Sequence, residues 1–221
     1  MTTPVKIDFV SDVSCPWCVI GLKALEAALE RVAGEVTADI HFQPFELNPQ
    51  MAAQGEDVAE HIARKYGSSA EEQARSRETL RARGAELGFE FALGQRKRIY
   101  NTFDAHRLLH WAEGTGKQEA LKNALFAAYF TEGRNPSDPQ VLESVAAQVG
   151  LDAKRVREIL ASNEYADEVR AREQWYLDRG IHAVPAVILN ERYLIQGGQP
   201  VEVFEAALRK VAAEAGAPHS A

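Results

Sequence analysis

Val5-Lys6-Ile7-Asp8-Phe9-Val10, Ser11-Asp12-Val13-Ser14 and Cys15-Pro16-Trp17-Cys18 follow one another without a break, and their order decides how the rest of the chain is read. The first six alternate apolar and polar before ending on two apolar residues, the pattern of a short strand with at least one buried face. The next four read as a loop. Beyond them Leu22, Leu25, Leu29 and Val32 recur at helical spacing, one face of a helix that opens at the two cysteines and stops near Gly34. Ala38 to Phe45 then alternates with period two. That predicts a second strand, with Ile40 and Phe42 on one face and Pro44 confined to its end or to an edge.

From about residue 49 to 177 strand signals disappear. Ser68 and Ser69, followed by Glu71 and Glu72, make overlapping capping boxes for a helix running towards Leu87. Asn101 to Ala112 and the stripe Leu121, Leu125, Phe126, Tyr129 predict two more. Ser137-Asp138-Pro139 starts another, with Asp as cap and Pro in the first turn, and Val141, Leu142, Val145 and Val149 form its stripe. Asp152 caps a short helix carrying Val156, Ile159 and Leu160, and a longer one spans Tyr165 to Arg179, ending at Gly180. Trp111, Trp175 and Phe126 sit among apolar residues at helical spacing and are expected in the core. Strands return with Pro185 to Leu189 and Tyr193 to Ile195, a hairpin turning at Asn190-Glu191-Arg192. Pro200 opens a final helix with Phe204, Leu208 and Val211 on one face, and the tail from Gly216 is expected to fray. The order is βαβ, a helical block without a strand, then ββα.

Composition narrows the classes. The 221 residues include 32 acidic and 25 basic side chains, a net of −7, with 46% hydrophobic residues. That is an ordinary globular chain with material for a sizeable core, which excludes collagen-like, low-complexity and wholly disordered readings. Its acidity argues against general nucleic-acid binding. No apolar run approaches the roughly 18 to 20 residues of a membrane span, so no membrane partner is expected. The start shows no basic segment leading into an apolar one, so the expectation is a soluble, cytoplasmic protein without a signal peptide.

Cys15 and Cys18 are the only cysteines. Two thiols so close cannot staple a distant loop, which excludes a structural disulfide framework. Half a zinc site would need further ligands, and His41, His106, His110 and His182 show no pairing spacing with the motif, so no metal is expected. A disulfide-exchange catalyst needs an exposed thiolate, a partner thiol close by, and something to stabilise negative sulfur. A cysteine at a helix start meets those needs: unpaired N–H groups and the positive end of the macrodipole lower the Cys15 pKa, and Cys18 follows one turn deeper. Pro16 costs little in the first turn, and Trp17 lays an apolar surface beside the sulfur.

The sequence resembles the thioredoxin-fold disulfide oxidoreductases of the DsbA superfamily, in the FrnE-like branch described as predicted dithiol-disulfide isomerases. Five motifs carry the resemblance, in this order: Asp12 to Cys18, Pro44-Phe45-Glu46-Leu47-Asn48-Pro49, Asn101-Thr102-Phe103-Asp104-Ala105-His106-Arg107-Leu108, Gly180-Ile181-His182-Ala183-Val184-Pro185, and Ile195-Gln196-Gly197-Gly198-Gln199-Pro200. It implies an α/β protein, a thioredoxin-like fold with a large all-helical insertion. Residues 1–48 with 178–221 would form the thioredoxin-like domain and 49–177 the inserted one. It also implies a cis Val184–Pro185 bond in a loop facing Cys15, where the Val184 backbone would offer an edge to an extended substrate.

The function this implies is thiol–disulfide exchange through the Cys-Pro-Trp-Cys dithiol, with a thiol or disulfide partner, either protein or glutathione-like, and no cofactor. The alternative is a glutathione-dependent transferase or isomerase of the kappa or 2-hydroxychromene-2-carboxylate isomerase type. Members of that group usually carry serine where Cys15 stands and have no second cysteine. A third reading is a redox sensor or holdase switched by the pair. Three residues are possible supports. His106 either lines the groove above Cys15 or is a structural histidine, the second preferred. Asn101 either helps hold a glutathione-like tripeptide or caps a helix. Asp12 either tunes the thiol or is a solvated loop carboxylate. The Arg75, Arg77, Arg81, Arg83 run alternates with glutamates and reads as a salt-bridged helix face, and Arg96-Lys97-Arg98 reads as a surface loop able to meet an anion.

Overall fold

The N-terminal stretch folds as β1 (Thr3–Ser11), α1 (Pro16–Arg31) and β2 (Val36–Pro44) in a computed structural model that describes residues 2–216. β1 and β2 pair in parallel, Ile7 opposite Ile40 and Phe9 opposite Phe42, with α1 as the crossover between them. Pro44 is the last residue of β2, where its missing N–H breaks no ladder. The chain ends supply the other half of the sheet. β5 (Ala186–Leu189) pairs antiparallel to β1 with Phe9 opposite Val187, and β6 (Tyr193–Gln196) pairs antiparallel to β5, giving the order β2-β1-β5-β6.

Central β1 is covered on both faces. Val5, Ile7 and Phe9 point towards α1 and α9 (Val201–Gly216), sharing one cluster with Leu22, Leu25, Phe204 and Leu208. Val10 points the other way, among Phe45, Tyr176, Ile181 and Ala186. Full burial of each such side chain contributes about 1.5 to 3 kcal/mol, so this sheet and its helices form the stable frame. The four-stranded sheet and the nine helices among the described residues make the mixed α/β architecture that the sequence predicts, with a second, two-stranded sheet beside it. The expectation of a frayed tail falls on residues 217–221, outside those described.

Between the halves of the sheet lie α2 (Val58–Tyr66), α3 (Ala70–Glu86), α4 (Phe103–Glu113), α5 (Gln118–Phe130), α6 (Pro139–Gln148), α7 (Ala153–Leu160) and α8 (Ala166–Leu177). The capping box forms at Ser69 and Glu72, not at Ser68. Asp138 and Asp152 cap α6 and α7, with Pro139 at the first turn of α6. Arg107, itself buried, donates to the carbonyls of Ile159, Ser162 and Glu164 and so ties α4 to the end of α7.

Two expectations need correction. The block is not strand-free: β3 (Glu56–Asp57) and β4 (Arg98–Ile99) pair antiparallel across a long separation, too short to leave a period-two signature. Trp175 is not core. It is 42% exposed, with the Arg179 guanidinium 3.5 Å over its ring. Among the described residues, no helix is long and apolar enough to cross a membrane.

Candidate active site

Cys15 is the N-cap of α1, its backbone extended and Pro16 at the first helical position, so the cysteine stands where helix amides have no carbonyl partners. The residue is only 4% exposed, which corrects the expectation of an openly exposed thiolate. It opens instead onto a cavity of about 650 Å3. Cys18 is fully buried one turn deeper and does not line that cavity. Both thiols are free.

The two sulfurs are electrically unequal. The largest influence on Cys15 is the hydrogen bond from the Cys18 thiol, which stabilises its thiolate. The backbone N–H groups of Cys18 and Trp17 add to it, and together they outweigh burial and the Asp12 charge, so the Cys15 thiol lies below the ordinary range. Burial, followed by the charge and hydrogen bond of Cys15, pushes Cys18 well above that range. The thiol at the helix start is thereby the more readily ionised of the two.

The bond between Val184 and Pro185 is cis, as the resemblance implies. The Val184 carbonyl accepts a contact from Cys15 Sγ at 3.7 Å, joining residues 169 positions apart. Two glycines make this approach possible. A Cβ on Gly21, in the middle of α1, would stand 3.0 Å from Pro185 Cγ, and one on Gly198 would stand 3.0 Å from the Trp17 carbonyl. Pro185 O in turn accepts from Gly197 N at 2.8 Å. The fifth motif of the sequence is therefore the strap that presses the Pro185 loop onto α1.

The cavity lies between this core and α2 and α3. Pro16, Trp17 and Val184 border the sulfur, Phe45 to Asn48 form one wall, and Ile62, Tyr66 and Leu80 another. Lys65, Arg77 and Arg96 give it a cationic rim. Lys65 is occupied, donating to Leu47 O and Asn48 Oδ1. Arg96 lies against the Tyr129 and Phe130 rings, and its buried Nε has no partner among the described residues. The basic run is thus divided: Arg96 faces the cavity while Arg98 donates to the Gln54 and Gly55 carbonyls and holds the β3–β4 ribbon. The Arg75 and Arg81 pairs with Glu71 and Glu78 form the expected salt-bridged face of α3, but Arg77 turns to the cavity.

None of Asp12, Asn101 and His106 borders the cavity. Asp12 is 1% exposed, not a solvated loop carboxylate. It accepts from Ser14 N at 3.0 Å and Leu47 N at 2.7 Å, pinning the cysteine turn to the Phe45–Asn48 wall. Burial favours its neutral form. The neighbouring His106 and those two amides outweigh burial and hold the carboxyl at about 2. His106 Nε2 stands 3.7 Å from Asp12 Oδ1, a charge contact longer than a hydrogen bond, behind the cysteine turn and not above it. Asn101 does serve at a helix start: its Oδ1 accepts from Phe103 N, while its Nδ2 donates to Glu46 Oε2. Glu46, paired with Arg170, and Glu173, which accepts from the Glu46 amide, complete a buried polar wall.

Lys122 was not among the candidates. It is fully buried on α5, and its Nζ has no hydrogen-bond partner among the described residues. Burial lowers it to about 8, with Cys18, Asp12 and Cys15 the charges that act on it. The available signal was its register: Gln118, Leu121, Lys122, Leu125, Phe126 and Tyr129 all fall on the buried stripe of one helix. Among the described residues, no three His, Cys, Asp or Glu side chains converge as metal ligands would.

Comparison with known proteins places this site in context. The profile of the DSBA-like thioredoxin domain matches residues 6–209. An uncharacterised Bacillus subtilis protein, YwbO, is 28% identical over 209 residues, covering 94% of this chain and 96% of its own. The crystal structure of a probable DsbA oxidoreductase, SCO1869 from Streptomyces coelicolor, superposes with a TM-score of 0.88 at 34% identity, covering 98% of this chain and 93% of that one. That of a putative protein disulfide isomerase from Nitrosomonas europaea does so with a TM-score of 0.72 at 18% identity, covering 96% and 100%, a likeness of fold.

Proposed function

The chain belongs to the DSBA-like thioredoxin domain family, and from that premise we propose that it is a thiol–disulfide oxidoreductase or isomerase working through Cys15 and Cys18. The observation that carries the reading is the inequality of the two sulfurs: a thiol lowered at a helix N-cap and opening onto a cavity, and a raised thiol closed in behind it.

The Cys15 thiolate attacks one sulfur of a substrate disulfide, and the other leaves as a thiolate. Cys18 then loses its proton and attacks Cys15 Sγ. The Cys15–Cys18 bond forms, the mixed disulfide breaks, and the second substrate sulfur leaves. The substrate gains two electrons and the dithiol loses two; run in reverse, the same steps oxidise a substrate dithiol. Trp17 and Val184 flank the reacting sulfur, and Pro16 and Pro185 fix the two loops that hold them. In this reading residues 1–48 with 178–221 carry the chemistry, and 49–177 supply the far wall of the groove.

Equilibrium titration in glutathione buffers tests the proposal, following tryptophan fluorescence and counting thiols by alkylation. The expected result is a reversible two-electron transition that Cys18→Ser abolishes. A protein that forms no internal disulfide and instead binds glutathione reversibly would fit the transferase alternative, and the proposal would fall.

A further inference from the structure

Cys15 is reached through the cavity, so what the cavity admits decides what the dithiol meets. Its volume of about 650 Å3 suits a small molecule and not a protein surface. One wall is α2. At its start Val58 N donates to Lys97 O at 3.1 Å. Near its end Lys65 Nζ donates to Leu47 O at 2.6 Å and Asn48 Oδ1 at 2.9 Å, across to the wall beside the cysteine turn. His61 is the only buried residue of α2, so polar ties and not a core hold this wall in place. The one carboxylate in the lining, Glu46, is already paired with Arg170. Three other lining groups lack partners among the described residues. Arg96 is fixed 5.4 and 5.2 Å from the Tyr129 and Phe130 rings, yet its buried Nε has no acceptor. Gln73, 5% exposed, is fixed by its Nε2, which donates to Ala59 O and Ser68 O, and its Oε1 is left without a donor. Ser14, next to Cys15, has an unpartnered buried Oγ. Buried polar atoms are nearly always bonded, so three of them from separate segments around one cavity point to a ligand. The guanidinium asks for an anion and the amide oxygen for an N–H.

We propose that the dithiol acts on a low-molecular-weight disulfide bearing a carboxylate and an N–H, held by Arg96 and Gln73, and that α2, tied by Lys65, shuts out the disulfides of folded proteins. This rests on the exchange reaction proposed above and names its substrate class. The Cys15 thiolate attacks one sulfur of the small disulfide, that S–S bond breaks, and one half leaves as a thiolate. Cys18 then bonds to Cys15 Sγ and displaces the second half. The two electrons of the dithiol turn one disulfide into two small thiolates, and the Cys18 proton passes to solvent. Lys65 and Arg77 add charge of the same sign at the rim, which favours entry of an anion. A disulfide embedded in a folded surface finds Cys15 only 4% exposed behind that rim.

The test is single-turnover reaction of the reduced protein with four disulfides, each rate divided by that of dithiothreitol with the same compound. N,N′-diacetylcystine carries both groups, its diamide lacks the charge, 3,3′-dithiodipropionate lacks the N–H, and insulin supplies protein disulfides. The normalised rate for N,N′-diacetylcystine is expected to exceed that for the diamide about 10-fold, for 3,3′-dithiodipropionate about 3-fold and for insulin about 100-fold. Arg96→Gln is expected to reduce the first of these ratios about 3-fold. Lys65→Met is expected to raise the rate on insulin relative to the diamide about 5-fold, because the α2 wall is released. Equal rates for N,N′-diacetylcystine and its diamide overturn the anion site, and equal rates for it and 3,3′-dithiodipropionate overturn the part given to Gln73. Insulin reacting as fast as the small disulfides overturns the exclusion by α2. These three comparisons use the unsubstituted protein and so stand even where a variant does not fold. A reduced protein that reacts with none of the four overturns the exchange reading itself.

Discussion

On its outer side the Cys15–Cys18 turn faces a cavity of about 650 Å3 with an apolar lining and a cationic rim. On its inner side it faces Asp12, His106 and Lys122, which are 1%, 2% and 0% exposed. The outer side can accept a substrate but holds no ionisable group in a fixed bond to the attacking sulfur. The inner side is closed to solvent, and the Asp12 charge there opposes the Cys15 thiolate that the Cys18 thiol and the helix amides favour. An open wall and a closed, charged one thus meet across a single helical turn.

The comparison is tested hardest at Asp12. Its folded pKa of about 2 lies below the ordinary 3.8, so its carboxylate contributes stability that is fully present above about pH 4 and lost as pH falls through about 2. For this fully buried group the contribution is roughly 2 kcal/mol. Asp12→Asn is expected to cost about 2 to 3 kcal/mol at neutral pH, because one oxygen facing the Ser14 or Leu47 amide becomes an NH2. It also removes a negative charge that raises the Cys15 pKa. Urea unfolding at several pH values, with alkylation of Cys15, checks both. A variant as stable as the parent and equally sensitive to acid would show that the inner charges are idle.

Gly21 separates the two sides. Gly21→Val is expected to cost about 1 to 3 kcal/mol by overpacking against the Pro185 ring. The same change loosens the Cys15–Val184 contact and speeds alkylation of Cys15. Thermal unfolding and alkylation rates measured together would break the comparison if stability fell while Cys15 reactivity held still. The smallest effect belongs to the outer rim. Arg96→Gln is expected to raise KM for an anionic disulfide about 3-fold and to leave turnover and the Cys15 pKa unchanged. A change in turnover would place Arg96 with the inner charges.

Much of the frame was legible because β1, α1, β5 and β6 carry period-two or helical patterns with turn residues between them. The capping signals of α3, α6 and α7 were equally local. α2 was harder, since His61 is its only buried residue and its short apolar stripe, Val58, Ile62 and Tyr66, lines the cavity instead of a core; Asp57, which caps it, was a further cue. The β3–β4 ribbon has two residues a side and exists only through a distant partner. At the site the cysteines and the Pro185 loop were legible, the latter through the family resemblance. Lys122 was not, because a lysine on an amphipathic helix reads as solvent-facing until its register with Leu121, Leu125 and Phe126 is counted. Asp12 was found as a residue but its burial was not, since sequence gives no depth to a loop, and for His106 both the groove and the structural reading stood open, the structural one preferred.

The contact between Cys15 and Val184 also has a history in the life of each molecule. The two residues are 169 positions apart, so the cysteines leave the ribosome long before the loop that covers one of them. At about 5 to 20 residues per second the interval is roughly 10 to 30 s. Through it β1 has no β5 beside it, and the nascent thiols meet the thiol–disulfide couples of their surroundings unguarded. The dithiol is therefore shaped by its chemical environment before the enclosure that separates its two sulfurs has been built.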